Sequence, residues 1–450
     1  MTRVGFAQTD ISCSVGTPLG GNARVDKAAR GVHDPLHATV ALVDDGAATH
    51  VLVGLDLLSA PGPLVGRMAE AIGDRVGIPA SQVTVAATHT HSGPDVGRGH
   101  GMDDFSYERV DAWEREAVEL VASAAVEAER AAAPATLRVG CTEVPGVAFN
   151  RRLIHRDGST RMNWEPLDPA EVVGARGPVD PQLMTLVFSD EEGSPLGAVV
   201  HFTLHPAILV GHEWLVSADY VAEASAVVSR QLGGAPVMFL NGALGNINHL
   251  DFRDTGRAIG FAESERVGHA VGAGALRAIA AAPEPVDIPP LAWHRFTVIL
   301  EQRTVDRRRL EDAEQLLAAS EGKPVDALDG IPPEAYAMWT VTEGRRLPPL
   351  LDVEVTVVRI AQVVLVYVPF EVFVEFGLAL RAAFPEHLVR VVSPANGYHG
   401  YLPTASAFAE GGYEPTLGTS TVQPGQGEHL FHRIGTEVRA MLADARTPTR

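Results

Sequence analysis

Cysteine is scarce in this chain. Cys13 and Cys141 are the only two in 450 residues, too few for a disulfide framework. No run of about 18 apolar residues occurs, so the sequence offers no membrane-spanning helix. The first ten residues, Met1 to Asp10, lack the apolar segment of a secretion signal. The expected location is therefore cytoplasmic. Positive charge is also in short supply. The 36 Lys and Arg face 56 Asp and Glu, a formal net charge of −20, which argues against nucleic acid or an anionic membrane surface as a partner. No internal repeat and no low-complexity tract stands out. What is present is a balance of 46 % hydrophobic and 20 % charged residues, the composition of a folded globular protein.

Strand-like and helix-like segments alternate early. Residues 38–43 and 50–55 are apolar runs around an Asp-Asp-Gly turn at 44–46. A helical pattern follows at 63–72, a buried strand at 83–87, and a long Ala- and Glu-rich helix at 107–133 that stops before Pro134. Strands are expected at 183–188, 196–202 and 236–240, and helices at 220–232 and 263–281. Residues 150–181, rich in Arg, Asp, Gly and Pro, suggest an ordered loop near a site. The proline-rich stretch 283–290 is the best candidate for an internal boundary. Beyond it come a strand at 293–300, a charged helix at 305–320, a hairpin at 351–360 and 363–368, a helix at 373–384 and a strand at 389–392. This order predicts an α/β fold, a mixed sheet with helices on both faces.

The stretch most suggestive of chemistry is Ala87-Thr88-His89-Thr90-His91-Ser92-Gly93-Pro94. Two imidazoles emerge at the end of an apolar strand, just before a Gly-Pro turn. On extended backbone, residues two apart point the same way. Two nitrogens are thereby offered to one metal or one substrate, and imidazole suits both zinc binding and proton transfer near neutral pH. The plain alternative is a pair of polar loop residues. Further polar groups stand at other strand ends: His201 and His205 in His201-Phe202-Thr203-Leu204-His205-Pro206, Glu371 in Val368-Pro369-Phe370-Glu371, and Tyr398 and Tyr401 in the Gly-rich turn 396–401. The Asn-Gly loop at 241–248 is another. Rigid sheets place functional groups at such ends. Each has a structural reading too: core histidines, an acid complementing a helix N-terminus, or packed tyrosines. Together, two His, a Glu and a Tyr would make a nitrogen and oxygen ligand set that zinc accepts.

These residues resemble the neutral, non-lysosomal ceramidase family, from about Val4 to just past Tyr401. Residues 87–94 come close to a family signature. Asn150-Arg151-Arg152, His205 with Ser217-Ala218-Asp219, Pro369-Phe370-Glu371 and Gly397 to Thr404 also match. The resemblance implies a zinc amidase with an α/β catalytic domain. It makes His89, His205, Glu371 and Tyr401 the zinc ligands, His91 a catalytic acid or base beside the metal, and Arg151 a group of the substrate pocket. The family's Gly-Asp-Val-Ser-Pro-Asn loop corresponds here to Gly245-Asn246-Ile247-Asn248-His249-Leu250. Asn248 thus replaces a serine and Asn246 an aspartate. Asn cannot act as a nucleophile, but it can donate a hydrogen bond to an oxyanion. A family C-terminal β-sandwich is expected to be absent, with 1–450 forming a single catalytic domain.

The expected function is a zinc-dependent hydrolase of an amide or ester bond in a small molecule. Its bound water would be acidified toward pKa ~7. His91 would carry protons to the leaving group, and Asn248 and Arg151 would hold a carbonyl oxygen or a substrate anion. Other readings use the same zinc as a Lewis acid in a cyclisation or elimination, make the chain a non-catalytic binding protein, or give the metal a structural role. The oligomeric state and the acyl and leaving groups are not encoded in these patterns.

Overall fold

The computed structural model describes residues 1–21, 27–97, 107–210, 212–254, 256, 259–320, 333–345 and 348–443. Among them the chain folds as three successive units of one topology. The first contains β1 (Arg3–Asp10), β2 (His37–Asp44), β3 (Thr49–Leu55), α1 (Gly62–Val76), β4 (Val83–Ala87) and α2 (Glu108–Ala131). β1, β2 and β3 form an antiparallel meander, and α1 crosses over so that β4 lies parallel to β3. The second repeats this order with β5 (Thr136–Glu143), β6 (Gln182–Ser189), β7 (Pro195–Phe202), α3 (Tyr220–Gln231), β8 (Val237–Asn241) and α4 (Phe261–Ala281). There β5, β6 and β7 are antiparallel and β8 is parallel to β7.

The third unit contains β9 (Ala292–Glu301), then α5 (Arg307–Ala319) and α6 (Pro333–Gly344) as an insertion. β10 (Leu350–Ile360), β11 (Val363–Tyr367), α7 (Val374–Ala382), β12 (Leu388–Val392) and α8 (Gln426–Ala443) complete it. The pairing is again antiparallel, antiparallel, parallel. The expected mixed sheet is therefore three mixed sheets, and the repeat that sequence inspection misses is structural. It is hidden because the units share a pattern of burial and hydrogen bonding rather than residue identities.

Burial explains the composition of the strands. Nearly every residue of β2, β3, β4 and β8 is buried, since helices cover one face of each sheet and another sheet covers the other. Three apolar cores lie between each sheet and its own helices. A fourth, containing Phe6, Leu186 and Leu365, lies where the three sheets meet. The helix-to-strand contact is very close at two matching places. A Cβ on Gly5 would fall 1.9 Å from the Ala128 carbonyl oxygen of α2, and one on Gly140 would fall 1.9 Å from that of Ala278 in α4. Only glycine fits there.

Several regions differ from the sequence expectation. Strand β1, strand β5 and helices α6 and α8 lie outside the expected elements. β5, Thr-Leu-Arg-Val-Gly-Cys-Thr-Glu, carries too many polar residues to stand out, although its Leu137 and Val139 are buried. α8 does bury a stripe, Leu430, Phe431, Ile434 and Val438. The loop 150–181 holds short strands, among them Arg152–His155 and Thr160–Met162. Within the proline-rich stretch, Val286 and Asp287 pair with Leu137 and Thr136 of β5. Among the described residues, no helix is long and apolar enough to cross a membrane.

Candidate metal and active site

The carboxyl ends of the parallel strand pairs supply the polar residues, as expected where a sheet positions a site. His89 and His91 follow β4, His205 follows β7, and Glu371 follows β11. Tyr398 and Tyr401 follow β12. Glu371 and Tyr401 are adjacent on neighbouring strands, paired in parallel register. His89 holds a φ of 74°, a left-handed conformation that a residue other than glycine keeps when its surroundings impose it. Those surroundings are hydrogen bonds: the Thr88 and His89 N–H groups donate to the Leu55 and Leu57 carbonyls at 2.8 Å.

The three imidazoles converge. One nitrogen each from His89, His91 and His205 lie within 4.8 Å of one another. His91 Nε2 is 3.0 Å from His205 Nε2. The other ring nitrogens face backbone oxygens: His89 Nδ1 lies 2.5 Å from the Leu58 carbonyl and His91 Nδ1 2.9 Å from that of Gly21. That arrangement fixes the tautomer and turns the bare Nε2 inward, the usual outer support of a metal ligand. Gly21 is constrained in turn, because a Cβ there would sit 2.5 Å from His91 Nδ1. Burial, and then the neighbouring His89, lowers the His91 pKa to about 3. Burial and the His89 and Arg151 charges likewise push His205 well down. Both rings are thus neutral.

Glu371 closes the cluster. Its Oε2 lies 3.3 Å from His89 Nε2 and 3.9 Å from His205 Nε2. It is buried, yet no hydrogen bond reaches it. Its Oε1 accepts from the Tyr398 hydroxyl at 2.6 Å. Burial would raise the pKa of this carboxyl, but His89, Arg151 and Tyr398 together hold it down at about 2. Among the described residues this buried carboxylate oxygen completes no hydrogen bond and lies beside two imidazole Nε2 atoms, an arrangement that suits a cation. The donors present therefore fit a divalent metal that accepts nitrogen and oxygen ligands.

Arg151 forms the other wall. Its guanidinium packs against the rings of Trp164, Tyr401 and Tyr413 at 5.2, 5.2 and 5.8 Å. Its Nε donates to Glu414 Oε1 at 2.8 Å, and its Nη1 lies 3.3 Å from His205 Nδ1. Its Nη2 is buried and completes no hydrogen bond. Arg152 donates to the other Glu414 oxygen at 2.7 Å. Asn248 sits beside this wall in a short strand paired to residues 149–150. Its amide is locked to Asn163 by two reciprocal hydrogen bonds of 2.7 Å. Asn246 instead receives the Val374 N–H at the start of α7, at 2.9 Å.

The structure thus brings His89, His91, His205, Glu371, Tyr401 and Arg151 into one cluster, with Asn248 at its edge. Sequence reasoning gave no role to Glu414, Trp164, Tyr413 or Asn163. Asn163 and Trp164 are neighbours in the loop 150–181, whose composition placed it near a site without singling them out, and Tyr413 and Glu414 are neighbours in a loop that nothing in the sequence marks. Tyr398 was visible as a strand-end phenol, but its bond to Glu371 was not.

Residues 3–243 match the family model of the neutral/alkaline non-lysosomal ceramidase N-terminal region. The chain belongs to this family. The matched residues include His89, His91, Arg151 and His205, while Asn248, Glu371 and Tyr401 lie beyond them. The neutral ceramidase of Pseudomonas aeruginosa is 30 % identical over 149 residues, which is 32 % of this chain but only 20 % of that protein. The crystal structure of neutral ceramidase from Pseudomonas aeruginosa superposes with a TM-score of 0.72 at 21 % identity, covering all of this chain and 75 % of that one. A ceramidase complexed with C2 gives the same TM-score at 20 % identity, covering 77 % of its chain. The fold is therefore shared along the whole chain.

Proposed function

We propose that this family member is a zinc-dependent hydrolase that cleaves an amide or ester bond of a small N-acyl or O-acyl molecule. The observation that carries the reading is the buried Glu371 Oε2, left without a hydrogen bond against the inward-turned His89 and His205. His89, His205, Glu371 and Tyr401 would hold the metal. Zinc bound there supplies Lewis-acid polarisation of the scissile carbonyl and an acidified water. The chain's own residues do the rest. His91, neutral and 3.0 Å from His205, takes a proton from the attacking water and returns it to the leaving nitrogen or oxygen. Arg151 offers its unused Nη2 to the carbonyl oxygen as charge develops. Asn248, with one amide hydrogen given to Asn163, has a second for the same purpose. The Trp164, Tyr401 and Tyr413 rings keep water from the guanidinium and strengthen its field. Membership of a ceramidase family supports an acylated amine as substrate.

Metal content and turnover test this reading together. Wild type should carry about one zinc per chain, and the double variant His89→Ala with His205→Ala should carry none. Release of free amine from N-acyl substrates should follow the zinc. A wild type that takes up no metal after zinc reconstitution overturns the site. A zinc-loaded wild type inert toward N-acyl amines, esters and lactones overturns the hydrolase.

A further inference from the structure

The three units meet at three seams of like construction, and two of these are closed by a guanidinium. Between the second and third units, Arg381 of α7 donates to both oxygens of Asp180 at 2.9 and 2.8 Å. Asp180 lies two residues before strand β6. At the same seam Arg390 of β12 is buried and donates to Gln182 at 2.7 Å, and His201 Nε2 of β7 donates to the Val391 carbonyl at 2.8 Å. Between the third and first units, Arg295 of β9 donates to the Val83 carbonyl of β4 at 2.7 Å.

The seam between the first and second units has a hole instead. The position that His201 fills at the second seam, one residue before the end of the third strand, is Gly54 here. Arg390 corresponds to Phe239 by its pairing in the fourth strand. A cavity of about 370 Å³ results, within the range of small-molecule sites. Asp34, Asp56 and Asp219 line it, with the rings of Phe239 and Phe261, and among the described residues no Lys or Arg does. Asp34, three residues before β2, is the counterpart of Asp180. It receives Ser217 Oγ, the Ala218 N–H and His33 Nδ1, and among the described residues no guanidinium. The Thr88 hydroxyl also lines the cavity, is 2 % exposed and faces the Asp56 carboxyl.

We propose that this cavity binds a small organic cation with planar or tetrahedral N–H donors, of the guanidinium or primary ammonium type, which fills the place that Arg381 and Arg390 take at the seam between the second and third units. Asp219 already takes the Ile208, Leu209 and Tyr220 N–H groups, and Asp34 takes three donors. Asp56, which takes the His37 N–H, therefore offers the most open acceptor, and the phenyl faces supply the cation–π contact that such ions favour. The carboxylate oxygens are not drawn together as a bare ion would require: among the described residues, the only metal-type cluster is His89, His91 and His205. Spacing wider than a metal's shell suits a larger ion. Burial, with Asp34 nearby, raises Asp56 to about 7, in keeping with a carboxylate whose counter-ion comes from outside. The cavity lies behind the metal site, since Thr88 precedes His89 and Ser217 N–H donates to the Ser92 carbonyl. The proposal does not depend on the hydrolase reading.

Calorimetric titration of the full chain with guanidinium, agmatine and the neutral isostere urea, all below about 10 mM, tests it. Guanidinium or agmatine should bind saturably and at least about tenfold more tightly than urea. Asp56→Asn should weaken that binding about tenfold. Ala226→Arg, which tethers a guanidinium to a cavity-lining position of α3, should abolish it and raise the Tm. Absence of saturable binding, equal affinity for urea, binding unchanged in both variants, or saturation by Mg²⁺ or Ca²⁺ in place of the organic cations would each overturn the proposal. If a variant fails to fold, the wild-type comparison of guanidinium with urea still decides.

Discussion

Glu414 is 0 % exposed, and its two oxygens serve two arginines. Through Arg151 it fixes a guanidinium beside His205, and through Arg152 it ties that wall to the segment around Gly411. The substitution Glu414→Gln leaves one acceptor oxygen for two buried guanidinium groups and sets an amide NH2 against one of them. Glu414→Gln should therefore destabilise the fold by about 3–5 kcal/mol, read as a shift in the urea-unfolding midpoint at constant slope. A loss under about 1 kcal/mol, the scale of an exposed pair, would show that water or a rearranged partner compensates. Metal binding has its own residue-scale expectation. Glu371→Gln keeps the shape and the contact with Tyr398 but removes the negative charge, so zinc affinity should fall by about 10–100-fold. Titration against a competing chelator measures this, and unchanged affinity would exclude Glu371 from the ligand set.

At the scale of elements, glycine marks where helices seat on strands. Gly5→Ala drives a methyl group into the Ala128 carbonyl of α2, and Gly140→Ala does the same to Ala278 of α4. The backbone must shift in each case, at a cost of about 3 kcal/mol. Gly66, on the exposed side of α1, has nothing within 4 Å of its notional Cβ. There the same substitution should stabilise by about 0.5–1 kcal/mol through helix propensity alone. Thermal unfolding of the three variants separates the two effects. If Gly5→Ala matches Gly66→Ala in sign, the helix-to-strand approach is looser than the geometry states.

At the scale of the whole molecule, the seam cavity contributes two carboxyls to the response to pH. In the folded state, burial raises Asp56 to about 7 and Asp219 to about 6, above the unfolded value of about 3.9. The folded chain therefore binds more protons than the unfolded chain between about pH 4 and 7, and in that window these groups lower stability as pH rises. Asp56→Asn removes one of them. Its Tm relative to wild type should climb as pH increases from about 4 to 8 and then level off. A difference that stays flat across that range would mean Asp56 titrates normally. Added guanidinium should reduce the wild-type slope, because a bound cation stabilises the ionised carboxylate.

Much of this protein is written locally. Apolar runs such as 38–43 and 363–367 and the Ala-rich face of α2 set strands and helices, because burial on both faces demands uninterrupted hydrophobicity. The His-Thr-His string after β4, Glu371 after β11 and the Tyr pair after β12 are legible as candidates for the proposed site, because few residue types can bind metals and strand ends present them. Other features depend on contacts between distant segments. The threefold repetition is one, since hydrogen-bond pattern and layer order can recur without recurring residues. Glu414 meets Arg151 across 263 positions of chain, and Asn163 meets Asn248 across 85. The seam cavity exists because Gly54, Phe239 and the start of α4 come together in space. Sequence spacing carries no trace of such meetings: a side chain's partner is decided by which faces pack, and packing is settled only when all three sheets are in place.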